Sequence, residues 1–206
     1  MKKIWDIVKI VTISTVGLIL LTYLTVDAPV KIKKNIIDIK NLPKVVELIG
    51  YDDKKFVTKS IIKKDTILFV GNQESIVVSK SLEKMLNLKP GKFVIISNIS
   101  DAPWFIKRWQ AHTKNIKIKG KANIPWIYDK DGTMRNFLQV PTSDAVKYFV
   151  YKVNRDGIVK RIYIGRVKVG AIDGKMTPKE IKENLQEVVN IIKKDILSKE
   201  KINLPQ

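Results

Sequence analysis

Between residues 66 and 166 the chain alternates short apolar runs with polar or amphipathic stretches. TILFVG is β-branched and ends at Gly71, KFVIIS follows the Pro90-Gly91 break, and IPWIYD ends at Asp129. Each run is too short for a core helix and is bounded by turn residues, which predicts three buried strands. Between the first two, Ile76, Leu82, Met85 and Leu86 recur near helical spacing, with Asn72 in position to cap the helix. APWFIKRWQAHTKNI, between the second and third, predicts another helix. YFVYKV and VKRIYIGRV predict a hairpin turning around Asn154-Arg155-Asp156-Gly157.

The last element carries the strongest local signals. Thr177 supplies an N-cap, Pro178 the first helical position and Glu180 the acid of a capping box. Ile181, Leu185, Val188, Val189, Ile192 and Ile196 then mark one apolar face, which needs a sheet to lie on. The order strand, helix, strand, helix, strand, hairpin, helix predicts an α/β fold. Right-handed crossovers make the first strands parallel and flank the mixed sheet with helices.

The N-terminal third reads differently. Ile10–Val26 contains no charged residue, and the stretch before it, MKKIWDIVK, is basic. The run is slightly short for a span, but Ile4–Lys9 can extend it with Lys9 reaching the interface. Pro29 is a poor neighbour for a signal-peptidase cut after Ala28, so the pattern predicts an uncleaved transmembrane anchor. Lys2, Lys3 and Lys9 precede the span, whereas Lys31, Lys33, Lys34, Lys40 and Lys44 follow it. The lysine count thus opposes an exported domain. The signal-anchor layout favours one, and the expectation is a single-pass protein of the bacterial inner membrane with its domain in the periplasm. The resulting division is a basic tail over 1–9, an anchor over 10–26, a linker or collar over 27–55, the domain over 56–197 and a tail over 198–206. Within the collar, LPKVVELIG suggests a short helix ending at Gly50.

Composition, with 45% hydrophobic and 29% charged residues, is that of an ordered protein. Charge changes the picture: 39 Lys and Arg against 20 Asp and Glu give +19. Such a surplus favours anionic partners, although lysines spread along the chain also suit a solvated surface. The sequence contains no cysteine, which removes thiol–disulfide and thiol peroxidase chemistry along with thiolate metal sites.

The element order is similar to the thioredoxin fold, and in particular to its extracytoplasmic, membrane-tethered thiol-disulfide and peroxiredoxin-like branch. IPWIYDKDGTM resembles the family's strand and Asp-Gly turn, YFVYKVNRDGIVKRIYIGRV its hairpin, with Gly165 near the usual glycine, and TPKEIKENLQEVVNII its terminal helix. The resemblance implies that SDAPWFIKRW, residues 100–109, stands where the family carries Cys-x-x-Cys. It also implies a cis-proline at the start of the first hairpin strand. That place falls near Lys147-Tyr148, and Pro141 comes several residues earlier. The chain is therefore expected to be a degenerate, redox-inactive member.

Asp101 can cap the helix that opens there, and Pro103 suits its first turn. Trp104 and Trp109 either pack beneath that helix or form an exposed aromatic platform. Trp104, Phe105, Lys107, Arg108 and Trp109 are the candidate partner-binding residues, because Trp and Arg are favoured interface anchors. Lys107, Arg108, Lys114, Lys117, Lys119 and Lys121 make a basic stretch without an acid between Ala102 and Tyr128. His112 is the single histidine, so no histidine cluster can bind a metal. Asp129, Asp131 and Asp156 belong to turns. No catalytic, cofactor-binding or metal residue is expected. The reading is a non-enzymatic scaffold or assembly subunit of an envelope complex. The alternatives are a basic module for anionic lipid or nucleic acid, although no recognised nucleic-acid motif is present, and a cysteine-independent enzyme.

Overall fold

The computed structural model describes residues 2–25, 36–51, 54–89, 91–102 and 112–202. Helix α1 (Lys2–Thr25) comes first. Strand β1 (Ile37–Asp38), the short β2 (Val45–Glu47) and β3 (Lys55–Val57), and helix α2 (Thr58–Ile61) follow. The core elements are β4 (Ile67–Gly71), α3 (Ser79–Leu86), β5 (Phe93–Asn98), α4 (His112–Lys119) and β6 (Trp126–Asp129). Helix α5 (Thr133–Phe137), the hairpin β7 (Lys147–Val153) and β8 (Ile158–Arg166), and α6 (Pro178–Ile202) complete the fold.

The sheet has six strands in the order β1-β8-β7-β4-β5-β6. β4, β5 and β6 are parallel, while β7 runs antiparallel to β4 and β8 antiparallel to β7. The predicted strand–helix alternation and hairpin are therefore present. Strand alternation splits the core between two faces. Ile67, Phe69, Phe93, Ile95, Tyr148 and Val150 meet α3 and α6 on one side. Leu185, Val188, Val189 and Ile192 are buried there, as the periodicity of α6 predicts. Thr177 and Glu180 form the reciprocal capping box: the Glu180 N–H donates to Thr177 Oγ1 (3.2 Å), and the Thr177 N–H to Glu180 Oε2 (2.8 Å).

Leu68, Val70, Val94, Ile96, Phe149 and Tyr151 face the other way. The cover on this side includes Met134 of α5, Leu138, Val140 and three residues of the N-terminal third, Leu42, Val46 and Ile62. Residues 36–51, which the sequence places in a collar, thus belong to the packed domain, with Ile49 fully buried. LPKVVELIG forms no helix. Val45–Glu47 pairs with β3, and Leu48 bridges to Ile127. A lone edge segment with alternating burial gains more from the sheet than from one helical turn.

Among the described residues no helix is long and apolar enough to cross a membrane, so the anchor expected over 10–26 is corrected on this point. The described part of α1 carries Asp6 and Lys9, and it exposes Trp5, Ile7, Ile10, Ile13, Leu18 and Ile19.

Candidate functional site

The three parallel strands end together. Register sets Gly71 beside Ser97 and Asn98 beside Asp129, so Asn72, Asn98 and Asp129 stand in one row at the carboxyl edge. All three are buried. Open α/β sheets place ligands outside this edge.

A directional hydrogen-bond chain crosses the row. Asn72 Nδ2 donates to the carbonyl oxygens of Thr142 (3.3 Å) and Asp144 (2.8 Å), in the loop entering β7. Its Oδ1 is therefore the acceptor, and it receives Asn98 Nδ2 at 2.7 Å. Asn98 Oδ1 in turn accepts from the Ser100 N–H (3.3 Å) and Ser100 Oγ (2.9 Å). Arg135 Nη1 donates to Ser100 Oγ (3.1 Å) and pairs with Asp101. Asp129 accepts the N–H groups of Met134 (3.0 Å) and Arg135 (2.8 Å), which seats the first turn of α5. Burial raises the Asp129 pKa from the ordinary carboxylate value, and these backbone donors pull it back.

The same loop closes over the start of the helix after β4. The N–H groups of Glu74 and Ser75 both donate to Ala145 O, at 2.8 and 3.1 Å. Ser75 Oγ accepts the Asn72 N–H (2.9 Å) and donates to Lys147 O (2.7 Å). Those donors would otherwise favour an anion at a helix start, but here a carbonyl oxygen occupies them. The Ser75 hydroxyl is likewise held in a backbone bridge, with no base among its partners.

These contacts relocate the position that the resemblance assigned to SDAPWFIKRW. The segment that faces the entry of the first hairpin strand is Asn72-Gln73-Glu74-Ser75, after β4. SDAPW leaves β5, one strand further from the hairpin. Asn72 does not cap the helix with its side chain, which is committed to the loop. No cis peptide bond occurs among the described residues, and β7 begins without a proline.

An open pocket of about 130 Å³ lies beside the row, lined by Gln73, Ser97, Asn98, Asp101, Lys114 and Ser143, with Ile76 and Ile172. Lys114 pairs with Asp173 (3.2 Å), which ties α4 to the turn after β8. Among the described residues no group of three or more His, Asp or Glu is gathered for a metal. Trp104, Phe105, Lys107, Arg108 and Trp109 lie outside the described residues. Ala102, the last described residue before them, lines the pocket. His112 opens α4.

No family model matches the chain, and no curated protein matches it. A solved structure of the bacterioferritin comigratory protein of Xanthomonas campestris, described for its alkyl peroxide reduction activity, is similar over 71% of this chain and 92% of that one. Identity is 15% and the TM-score 0.35. The fold is thioredoxin-like. That statement stands on the βαβαβ half and antiparallel hairpin described above. The expectation that this chain is not an enzyme is corrected: in the Xanthomonas protein the similar structure houses an enzymatic activity, so the fold gives no ground for excluding one here. A likeness at this level carries neither that activity nor a site to this chain.

Sequence reasoning missed Asn72, Gln73, Asn98, Arg135 and Ser143 as parts of one site. A signal for the row was present, since LFVGN, IISN and WIYD each end in Asn or Asp. Arg135 and Ser143 carried none, because only the tertiary fold brings their loops to the strand ends.

Proposed function

We propose that this chain is a membrane-tethered thioredoxin-like domain that binds a protein partner at its carboxyl-edge crevice, as an assembly or scaffold subunit of an envelope complex. One observation carries the reading. The crevice rim is locked by buried side-chain hydrogen bonds from Thr142 through Asn72 and Asn98 to Ser100 and Arg135, while the pocket beside it stays open. A rim held in one conformation loses little entropy on binding, which favours recognition. A pocket of about 130 Å³ is small for enclosing a drug-sized molecule, which needs roughly 300 Å³ or more. It suits one or two side chains of a protein surface. The stretch with Trp104, Phe105, Lys107, Arg108 and Trp109 continues from the rim in sequence, and we assign it to the same contact. Support for the tether comes from α1, whose apolar side chains point outward around its described part.

The test is recovery of partners with the intact protein from its own membranes. Gln73→Arg and Ser143→Arg add bulk at the mouth without entering the hydrogen-bond chain, and Trp104→Ala removes an aromatic anchor. Each should lower partner recovery about tenfold, the size of a 1–2 kcal/mol interface residue. Unchanged recovery with all three variants would overturn the reading.

A further inference from the structure

Around the crevice pocket the buried polar groups have donors to spare. Ser97, Asn98 and Asn115 are all buried, and all three line it. Asn115 stands near the start of α4, where its Oδ1 accepts Ser97 Oγ at 3.1 Å. That bond leaves Asn115 Nδ2, with its two N–H groups, without a partner among the described residues. The unpaired side-chain atoms sealed from solvent are Thr58 Oγ1, Thr66 Oγ1, Trp126 Nε1, Arg135 Nε and Tyr151 OH. Asn115 Nδ2 is not one of them. A residue only 3% exposed thus keeps its amide nitrogen open, and the opening it lines is the pocket. Asn98 adds to this. Its oxygen is taken by Ser100 and one of its N–H groups by Asn72, which leaves the other over. A buried donor without an acceptor costs stability. Two of them at one opening mark a place for an acceptor that the chain does not itself supply.

Charge selects which acceptor. Lys114, the neighbour of Asn115, also lines the pocket, and from Pro103 to Ile127 the sequence holds no acid. The acids around the crevice are engaged. Asp101 pairs with Arg135, and Asp129 takes the N–H groups of Met134 and Arg135. Glu74 accepts the Ile172 N–H (3.1 Å), Asp144 pairs with Arg166 (3.3 Å), and Asp173 pairs with Lys114 (3.2 Å). The last pair is exposed, so it holds weakly and exchanges readily. A neutral carbonyl could use the two amides alone. A carboxylate uses the amides and Lys114 together, through hydrogen bonds about twice as strong as neutral ones. Ile76, Ile99 and Ile172 give the pocket apolar wall for an aliphatic stem. The net charge of +19 favours an acidic partner surface.

We infer that the pocket receives a glutamate side chain of the protein partner, its carboxylate held by Asn115 Nδ2, Asn98 Nδ2 and the Lys114 ammonium. The inference rests on the partner reading of the crevice and names the group that the partner inserts. The methylenes of that side chain lie against the isoleucines, and its charge displaces Asp173 from Lys114.

The full chain, in detergent micelles and isotope-labelled at asparagine, is titrated with glutamate blocked as its N-acetyl N-methylamide, and separately with glutamine blocked in the same way. Side-chain amide signals are followed by NMR. Blocked glutamate should shift the Asn115 and Asn98 signals and half-saturate at about one-tenth of the concentration that blocked glutamine needs. Lys114→Met should raise that half-saturation about tenfold. Lys117→Met, at an exposed position of the same helix outside the pocket lining, should leave it unchanged. In partner recovery from membranes, Lys114→Met should lower the yield and Lys117→Met should not. No shift at Asn115 and Asn98, an equal response to the two blocked residues, or equal effects of the two lysine variants would overturn the carboxylate. Loss of the partner with Gln73→Arg would still uphold the partner reading in that case. Blocked glutamate bound in the pocket, with partner recovery untouched by Lys114→Met, would overturn the partner as the source of the carboxylate. Gln73→Arg, Ser143→Arg and Trp104→Ala decide the partner reading separately.

Discussion

Asn72 shows what one amide can fix. Its two donors reach carbonyl oxygens in the β7 entry loop, and its oxygen receives Asn98. Replacing Asn72 by Asp sets a carboxylate against those carbonyls in a buried site. The expected cost is about 1–3 kcal/mol or more in a denaturant melt. Asn72→Ala should cost less, because it removes the group without adding a charge. At the start of α6, Glu180 answers to pH. The Lys168 ammonium beside it, then the Thr177 N–H and hydroxyl, hold its carboxyl down at about 2, against an ordinary 4.5. The folded value is depressed, so its contribution is present above pH 4.5 and is lost as the pH falls toward 2. A carboxyl titration by NMR should find this midpoint. Lys168→Ala should move it upward, toward the ordinary value.

At the scale of elements, α6 and β4 bear the packing. Leu185 is fully buried against the sheet, and Leu185→Ala should cost about 2–5 kcal/mol. Equilibrium unfolding in denaturant checks this, and Leu185→Met should retain most of the stability. Gly71 ends β4 where the chain turns straight into the helix after it. A Cβ there would lie 2.8 Å from Ile76 Cα and 2.8 Å from the Phe69 ring. Backbone cannot yield as a flexible side chain can, so Gly71→Ala should destabilise by about 1–3 kcal/mol. It should also perturb amide shifts in the Asn72–Ser75 turn, which distinguishes it from a remote packing defect.

Across the whole molecule, the domain closes without α1. The buried core begins at Leu42, and the described side chains of α1 are exposed. A chain lacking residues 1–20 should therefore unfold within about 0.5 kcal/mol of the full protein, as expected where the described side chains lost are all exposed. A chain lacking residues 1–51 loses Leu42 and Val46 from one face of the sheet and Ile49 from the other, and should fall by several kcal/mol or fail to fold. Circular dichroism melts of both truncations test the boundary.

The sequence alone determined the elements whose signals are local. TILFVG, KFVIIS and IPWIYD became β4, β5 and β6 because short β-branched runs between turn residues have few alternatives. The Asn154–Gly157 hairpin and the Thr177–Glu180 cap are likewise settled by neighbouring residues, through turn and capping bonds a few positions apart. Tertiary structure decided what depends on strand order. Chain order places KFVIIS between its two parallel neighbours, but the sheet puts β4 beside the hairpin. That moves the turn facing the hairpin from SDAPW to Asn72–Ser75. Residues 36–51 became part of the core for the same kind of reason, since a sheet apolar on both faces must cover each, and α3 and α6 cover only one. Hydrophobic periodicity tells which side chains seek burial, and contacts distant in sequence choose what buries them.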